Sequence, residues 1–280
     1  MKTIEAAAIS SAVRELAIRA NIVLGQDVRE SLGRGLAAEE SPLGREILQT
    51  ILTNADVALR ENLPICQDTG VAVFFVEIGT GVAITGGTLQ SAIDEGVRRG
   101  YAEGYLRKSL VADPIRRANT GDNTPAIIHC RQVEGDALRI VIAPKGGGSE
   151  NMSALAMLKP SQGIEGLKAF VKSTVENGAA NACAPVIVGV GVGGNFEVAP
   201  LLAKKALLRK VGSPHPDEFW AAMEAELLEM VNATGIGPMG LGGRITALAV
   251  HIEVHPCHIA SLPVAVNLNC HAHRHEEVVL

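Results

Sequence analysis

The chain is expected to fold as an α/β protein of mixed α+β character, a single domain with a helical N-terminal segment and mixed sheets. Three observations lead there. Residues 43–60 place Ile47, Leu48, Ile51, Leu52, Ala55 and Leu59 at helical spacing. From Gly70 onward, short runs rich in Val and Ile recur, the pattern of buried strands. Helix-patterned stretches lie between several of those runs, so strands and helices are interspersed.

Taken in order, residues 4–24 show helical periodicity, and Ser41 and Pro42 supply a cap and first turn for the helix that follows. Residues 1–62 thus read as a helical entry segment packed onto the rest. Strands are expected at 71–78, 125–133, 137–143, 184–192, 246–255 and 263–268. Helices are expected at 87–106, 150–159, 164–177, 196–210 and 216–232. No internal repeat, low-complexity tract or long polar linker interrupts the 280 residues, hence one domain over 1–280.

A hydrophobic content of 47% is ample for a buried core. Aromatic residues are only 3% while glycines number 30, so packing falls to Ala, Val, Leu and Ile, and backbone can approach ligands closely. The apolar surplus points to further burial against another chain. Mean hydropathy is +0.22, yet the apolar runs are broken by glycines and by charges such as Glu77. None reaches the roughly 18 residues of a membrane span, and no transmembrane helix is expected. The N-terminus carries Glu5 early and lacks a continuous apolar core, so it reads as a helix and not as a signal peptide. Five cysteines without framework spacing speak for a reducing compartment, the cytoplasm by default. A net charge of −5 without a basic tract argues against nucleic acid and leaves a small molecule as the expected partner.

Three cysteines sit beside polar or turn-forming residues at expected element ends: Cys66 in residues 64–70 (PICQDTG), Cys183 in 181–185 (NACAP) and Cys270 in 267–273 (NLNCHAH). Loops at strand ends are where sheets collect ligands. Three thiolates on one iron-sulfur cluster would leave one iron open as a Lewis acid. No C-x-x-C pair is present, so spacing alone leaves both readings open, cluster ligand and inert buried thiol. Cys130 falls inside an apolar strand run and is expected to be a buried small hydrophobe. Cys257, between Pro256 and His258, is open to either reading.

Residues 64–70, 119–126 (NTGDNTPA), 144–153 (PKGGGSENMS) and 189–194 (GVGVGG), with Cys270 near the end, resemble the class I fumarase family over nearly the whole chain. Within it the sequence is most similar to the α subunit of a two-subunit enzyme, either fumarate hydratase or L-tartrate dehydratase. The resemblance implies an oxygen-sensitive 4Fe-4S cluster held by Cys66, Cys183 and Cys270, with one iron not bound by a cysteine. It gives Cys130 and Cys257 no such role. It implies that Gln67 and Asp68 contact a bound dicarboxylate, with Asp68 taking part in proton transfer next to a carboxylate. By residue type alone, Asp68 and Thr69 read first as turn formers before Gly70.

Lys145 opens a glycine run, KGGGS, expected to follow a strand and begin a helix, where consecutive N–H groups favour an anion. A tight turn is the other reading of the run. The resemblance assigns Lys145, Gly147 and Gly148 to a substrate carboxylate and adds Arg107, in GYLRKS, as a carboxylate fork. It places His258, in HPCH, in the substrate pocket as a hydrogen-bond or proton-transfer group. His271, His273 and His275 alternate near the end of the chain and read either as a zinc set or as decoration of a terminal strand. Decoration is preferred because the resembled family does not use them. Gly189, Gly191 and Gly194 satisfy a G-x-G-x-x-G outline, but residues 211–218 (VGSPHPDE) cannot supply the second strand of a dinucleotide fold. These glycines therefore read as close packing.

The expected function is a hydro-lyase α subunit interconverting fumarate and (S)-malate, with L-tartrate dehydration to oxaloacetate as the alternative. A β subunit would supply the remaining catalytic groups, making the enzyme a hetero-oligomer. An iron-sulfur sensor or redox subunit is the alternative from another class.

Overall fold

Residues Lys2–Glu5 form a strand, not the start of a helix, in the computed structural model, which describes Met1–Leu280. The elements run β1 (Lys2–Glu5), α1 (Ala6–Ile22), α2 (Gln26–Ala38), α3 (Pro42–Glu61), β2 (Val71–Gly79), β3 (Val82–Thr85), α4 (Leu89–Glu103), β4 (Ile127–Val133) and β5 (Leu138–Lys145). They continue with α5 (Gly147–Glu150), β6 (Ala154–Leu158), α6 (Gly163–Gly178), β7 (Val186–Gly194), α7 (Val198–Ala206), α8 (Glu218–Asn232), β8 (Ala247–Cys257), β9 (Leu262–Asn269) and β10 (Glu276–Val279). The fold is mixed α/β, as the sequence predicts. Contacts group the residues into two units. Unit 1 holds Met1–Leu24, Ala55–Gly147 and Arg274–Leu280; unit 2 holds Gly25–Asn54 and Gly148–His273. No helix is long and apolar enough to cross a membrane.

Unit 1 is built on a four-stranded sheet ordered β10-β5-β2-β4. The β2–β4 pair is parallel, and β2–β5 and β5–β10 are antiparallel. Helix α1 buries Ile9, Val13, Leu16 and Ala20, three to four residues apart, and this stripe joins Ile93, Val97 and Tyr101 of α4 over Phe74, Ile140 and Ile142 of the sheet. Helix α4 starts where Thr88 and Ser91 cap one another reciprocally. Strands β1 and β3, both unanticipated, pair in parallel by themselves. The register aligns Val71 with Lys145, Val73 with Ile127 and Glu276 with Ile142. The starts of β2, β4 and β10 and the end of β5 therefore share one end of the sheet.

Unit 2 carries a sheet ordered β6-β9-β7-β8, with β7–β8 parallel and the other pairs antiparallel. Strand β7 reads VIVGVGVGG, and its alternation has a direct packing meaning, since successive side chains point to opposite faces. Val188, Val190 and Val192 join Leu167, Val171, Leu227 and Val231 of α6 and α8. On the opposite face α7 approaches so closely that a Cβ on Gly189 would lie 2.1 Å from the Ala203 carbonyl oxygen, and one on Gly191 2.0 Å from that of Ala199. Close packing accounts for both glycines, as the sequence reading proposed.

Three expectations are corrected here. The helix expected at 150–159 is one turn of α5 followed by strand β6; Met152, Leu155 and Leu158 mimic a helical stripe, but 154–158 pairs with β9 as an edge strand. Cys130 is exposed, not buried, because β4 is the edge strand of its sheet. The strand ending at Asn269 is not the last: β10 adds to β5, where Glu277 stands opposite Val141 and its carboxylate accepts from Arg139 Nε at 3.1 Å.

In unit 2, Glu39 is buried and fastens the α2–α3 turn to the approach to β8. Its carboxylate accepts backbone N–H groups of Glu40 (2.9 Å), Ser41 (3.0 Å), Arg244 (2.9 and 2.8 Å) and Ile245 (2.9 Å). Burial alone pushes this carboxyl up; the amides of Ser41, Arg244, Ile245 and Glu40 more than reverse it and hold it below the ordinary range. A depressed folded value contributes stability above the unfolded value and loses it as pH falls through the folded value. Glu39→Gln is expected to cost about 2 kcal/mol in urea unfolding at pH 7, with the difference from the parent shrinking below about pH 4. An undiminished difference in acid would show that the charge is not what holds this turn.

Candidate active site

The loop from 64 to 70 lies at the shared end of the unit 1 sheet, and Asp68 organises it. The Asp68 N–H points to Cys66 Sγ at 3.4 Å, and the Cys66 thiol faces Gln67 Oε1 at 3.4 Å. Asp68 Oδ1 accepts from the Gly70 N–H at 3.0 Å and from Ser109 Oγ at 3.4 Å, while Oδ2 accepts from the Gly147 N–H at 2.8 Å. Its main-chain oxygen accepts from Arg274 Nη2 at 2.6 Å. Gly70 adopts φ 72°, and a Cβ there would meet the Lys145 carbonyl carbon at 2.5 Å, so only glycine lets the loop pass the end of β5. Lys145 is buried at that strand end.

Tyr101 and Asn123 support this loop from beneath. The fully buried Tyr101 hydroxyl lies 2.9 Å from the Thr69 oxygen and 3.1 Å from that of Gly70, and its one O–H is shared between the two acceptors. Burial pushes its phenol up, with the Arg274 charge drawing it partly back, so it stays protonated and a donor. Asn123, buried at φ 62°, donates to the Gly70 oxygen at 3.1 Å and accepts the N–H groups of Ser109 (2.8 Å) and Leu110 (3.2 Å). Thr69 Oγ1 donates to the Arg107 carbonyl at 2.9 Å. The segment carrying Arg107 is thereby laid along the Cys66–Asp68 loop, with the Arg107 side chain exposed. Tyr101, Ser109 and Arg274 were not anticipated. Asn123 lies within the quoted NTGDNTPA motif without having been singled out, and Tyr101 is one of only two tyrosines, which is the signal that could have flagged it.

In unit 2, β7 begins shortly after Cys183 and β9 ends just before Cys270, with Ile187 opposite Asn269 in the register. The His271 N–H donates to the Cys183 carbonyl at 3.3 Å and the ring Nδ1 lies 3.0 Å from the same oxygen, so the two cysteine segments are joined. His273 is buried, with Nδ1 2.6 Å from Asn269 Nδ2. These histidines belong to an ordered turn and do not decorate a terminal strand. His258 is placed elsewhere. It sits exposed in the β8–β9 connection, its Nδ1 accepting the Ala260 N–H at 3.1 Å, beyond the end of β7 where Gly194 faces Cys257. The length of β7 separates it from Cys183 and Cys270, roughly 25 Å at the usual strand rise. Cys257 is exposed, its Sγ 3.4 Å from the Ser261 oxygen.

The KGGGS reading also changes. Helix α5 is a single turn, so it has little dipole to offer, and the Gly147 N–H is already given to Asp68. Gly148 is exposed in the same turn. Neither unit alone gathers three His, Cys, Asp or Glu side chains into a group able to hold a metal ion. Taken unit by unit, the Cys183 and Cys270 segments are joined in unit 2, an N–H is aimed at the Cys66 sulfur in unit 1, and thiols of this kind are the donors that an iron-sulfur cluster takes.

The model of the fumarate hydratase (Fumerase) family matches residues 10–279. The chain belongs to that family. As a member of the fumarate hydratase family it is an enzyme of the hydro-lyase class. A Methanocaldococcus jannaschii protein provisionally named L(+)-tartrate dehydratase subunit alpha is 45% identical over 273 residues, covering 95% of each chain. The L(+)-tartrate dehydratase subunit alpha of Escherichia coli UTI89 is 38% identical over 251 residues, 89% of this chain and 82% of that one. That of Shigella sonnei is 37% identical over the same length.

Tyr101→Phe removes the donor shared by two loop carbonyls. It is expected to lower stability by about 1–2 kcal/mol in urea unfolding at neutral pH; an unchanged midpoint would show that the hydroxyl carries no weight in the loop.

Proposed function

We propose that residues 1–280 act as one α-subunit domain of a cytoplasmic hydro-lyase that adds water reversibly across fumarate to give (S)-malate. The observation that carries this reading is Asp68, a carboxylate beside Cys66 whose two oxygens are oriented by Gly70, Ser109 and Gly147. A carboxylate held as an acceptor suits removal of a proton from carbon next to a substrate carboxylate. The names of the relatives favour a second reading of the same site, dehydration of L(+)-tartrate to oxaloacetate.

Cys66, Cys183 and Cys270 would hold a 4Fe-4S cluster, which when bound supplies Lewis acidity toward the substrate hydroxyl. Gln67 and Arg107 border the Asp68 loop and would bind the dicarboxylate; Lys145 would add positive charge at the end of β5. Gly147 orients Asp68, and Gly148 stands next to it. His258 is left out of the site within a single chain because of its place at the far end of the unit 2 sheet. The relatives' subunit names support a β partner supplying the remaining groups.

Anaerobic co-expression with a β chain, followed by iron and sulfide analysis and assays on both acids, tests the reading. Near four irons per α chain and turnover of fumarate support it, and a kcat/KM higher on tartrate selects the second substrate. Cys66→Ser, Cys183→Ser and Cys270→Ser are each expected to lose iron. Asp68→Asn should keep iron and lose about 10²–10⁴-fold in kcat. A reversible one-electron couple with no turnover of either acid would favour a redox or sensor subunit instead.

A further inference from the structure

Arg274 is 5% exposed, just before β10 in unit 1. Its Nη2 donates to the main-chain oxygen of Asp68 at 2.6 Å, while Nε and Nη1 are buried without a hydrogen-bond acceptor. No carboxylate forms an ion pair with it; the paired arginines of this unit are Arg14, Arg19, Arg60, Arg98, Arg99, Arg131 and Arg139. A buried guanidinium with one neutral acceptor is a poor stabiliser, since desolvating the charge is expensive and an apolar side chain of similar volume serves packing better. What an apolar side chain cannot do is hold a carbonyl. Fixing the Asp68 oxygen fixes the peptide plane after Asp68, and with it the direction of the Asp68 side chain.

The β10–β5 register explains why this residue is available. Glu276 stands opposite Ile142, so Arg274 arrives at the end of β5, where Gly147 takes the other side of Asp68. The aspartate is thus gripped at its carboxylate by Gly147 and at its backbone by Arg274. The Arg274 charge also acts on Tyr101, the second residue holding this loop. We propose that Arg274 is a positioning residue for Asp68, setting the backbone of the Cys66–Asp68 loop so that the carboxylate meets the substrate carbon. This rests on the reading of Asp68 as the proton-transfer group.

Arg274→Met and Arg274→Lys in the α–β enzyme test it. Two amides donate to the Asp68 carboxylate, those of Gly70 and Gly147, and their hydrogen exchange reports its position without reference to activity. In Arg274→Met both are expected to exchange at least about tenfold faster while the β2–β5 ladder amides are unchanged, a local opening. Iron content stays at the parent level. The kcat falls about 10- to 100-fold with KM within about twofold. The primary isotope effect on substrate deuterated at the carbon that loses its proton rises. Arg274→Lys, able to donate to the same carbonyl, recovers part of both effects. Parent-like exchange at Gly70 and Gly147 would overturn the proposal, and so would faster exchange spread through the β2–β5 ladder, which marks a general structural role. An α–β enzyme inactive on both acids would remove the reading of Asp68, while the exchange pattern would still decide whether Arg274 sets its place.

Discussion

The hydrogen bonds of one carboxylate, Asp68, hold the candidate site together. An ionised carboxylate only accepts, so its three donors fix its orientation, and those donors come from three separate stretches at Gly70, Ser109 and Gly147. Arg274 adds a fourth stretch through the main-chain oxygen. The constraint also limits what the glycine run can do. An amide carries one hydrogen, so Gly147 cannot serve Asp68 and a substrate carboxylate at full strength together. The KGGGS segment is thus first a clamp on the aspartate.

Strand register explains why residues so far apart in the chain meet. Because β2 and β4 are parallel while β5 and β10 run against their neighbours, the beginnings of three strands and the end of the fourth fall at one end of the sheet. Residues 68–70, 123–126, 145–147 and 274 are the flanks of those ends. The same logic in unit 2 joins the start of β7 to the end of β9 and so brings the Cys183 and Cys270 segments together. It also sends His258, carried between β8 and β9, to the opposite end. A shift of either register would separate these groups, so the ladder hydrogen bonds position the site as well as holding the sheet.

The sequence made the long elements and the cysteine loops legible, because apolar runs and turn residues around Cys66, Cys183 and Cys270 are local signals. It did not reveal where each strand sits in its sheet. Cys130 lies in an apolar run and looked buried, but edge or centre is a tertiary property, and β4 is an edge. Residues 154–158 fit either period, and only the open edge of β9 makes them a strand. Strand β10 is four residues with two glutamates, too short and too charged to stand out. Tyr101, Ser109 and Arg274 were missed for another reason: they act on main-chain carbonyls or on Asp68 from distant segments, and nothing in their own neighbourhoods announces that.

Glycine patterns show where spacing alone misleads. The outline of Gly189, Gly191 and Gly194 meets a phosphate-binding template as well as it meets a packing one, since both ask for a missing Cβ. The surrounding residues separate them. In β7 glycines alternate with valines at period two, so they form one face of the strand, and a phosphate loop has no need of such a face. The atoms that a Cβ on Gly189 or Gly191 would strike are carbonyl oxygens of α7, groups that accept hydrogen bonds and repel an anion. At Gly147 the group presented is an N–H, and it meets a carboxylate oxygen. The same residue type thus makes room for a helix in one unit and orients the Asp68 carboxylate in the other, according to which backbone atom faces the gap.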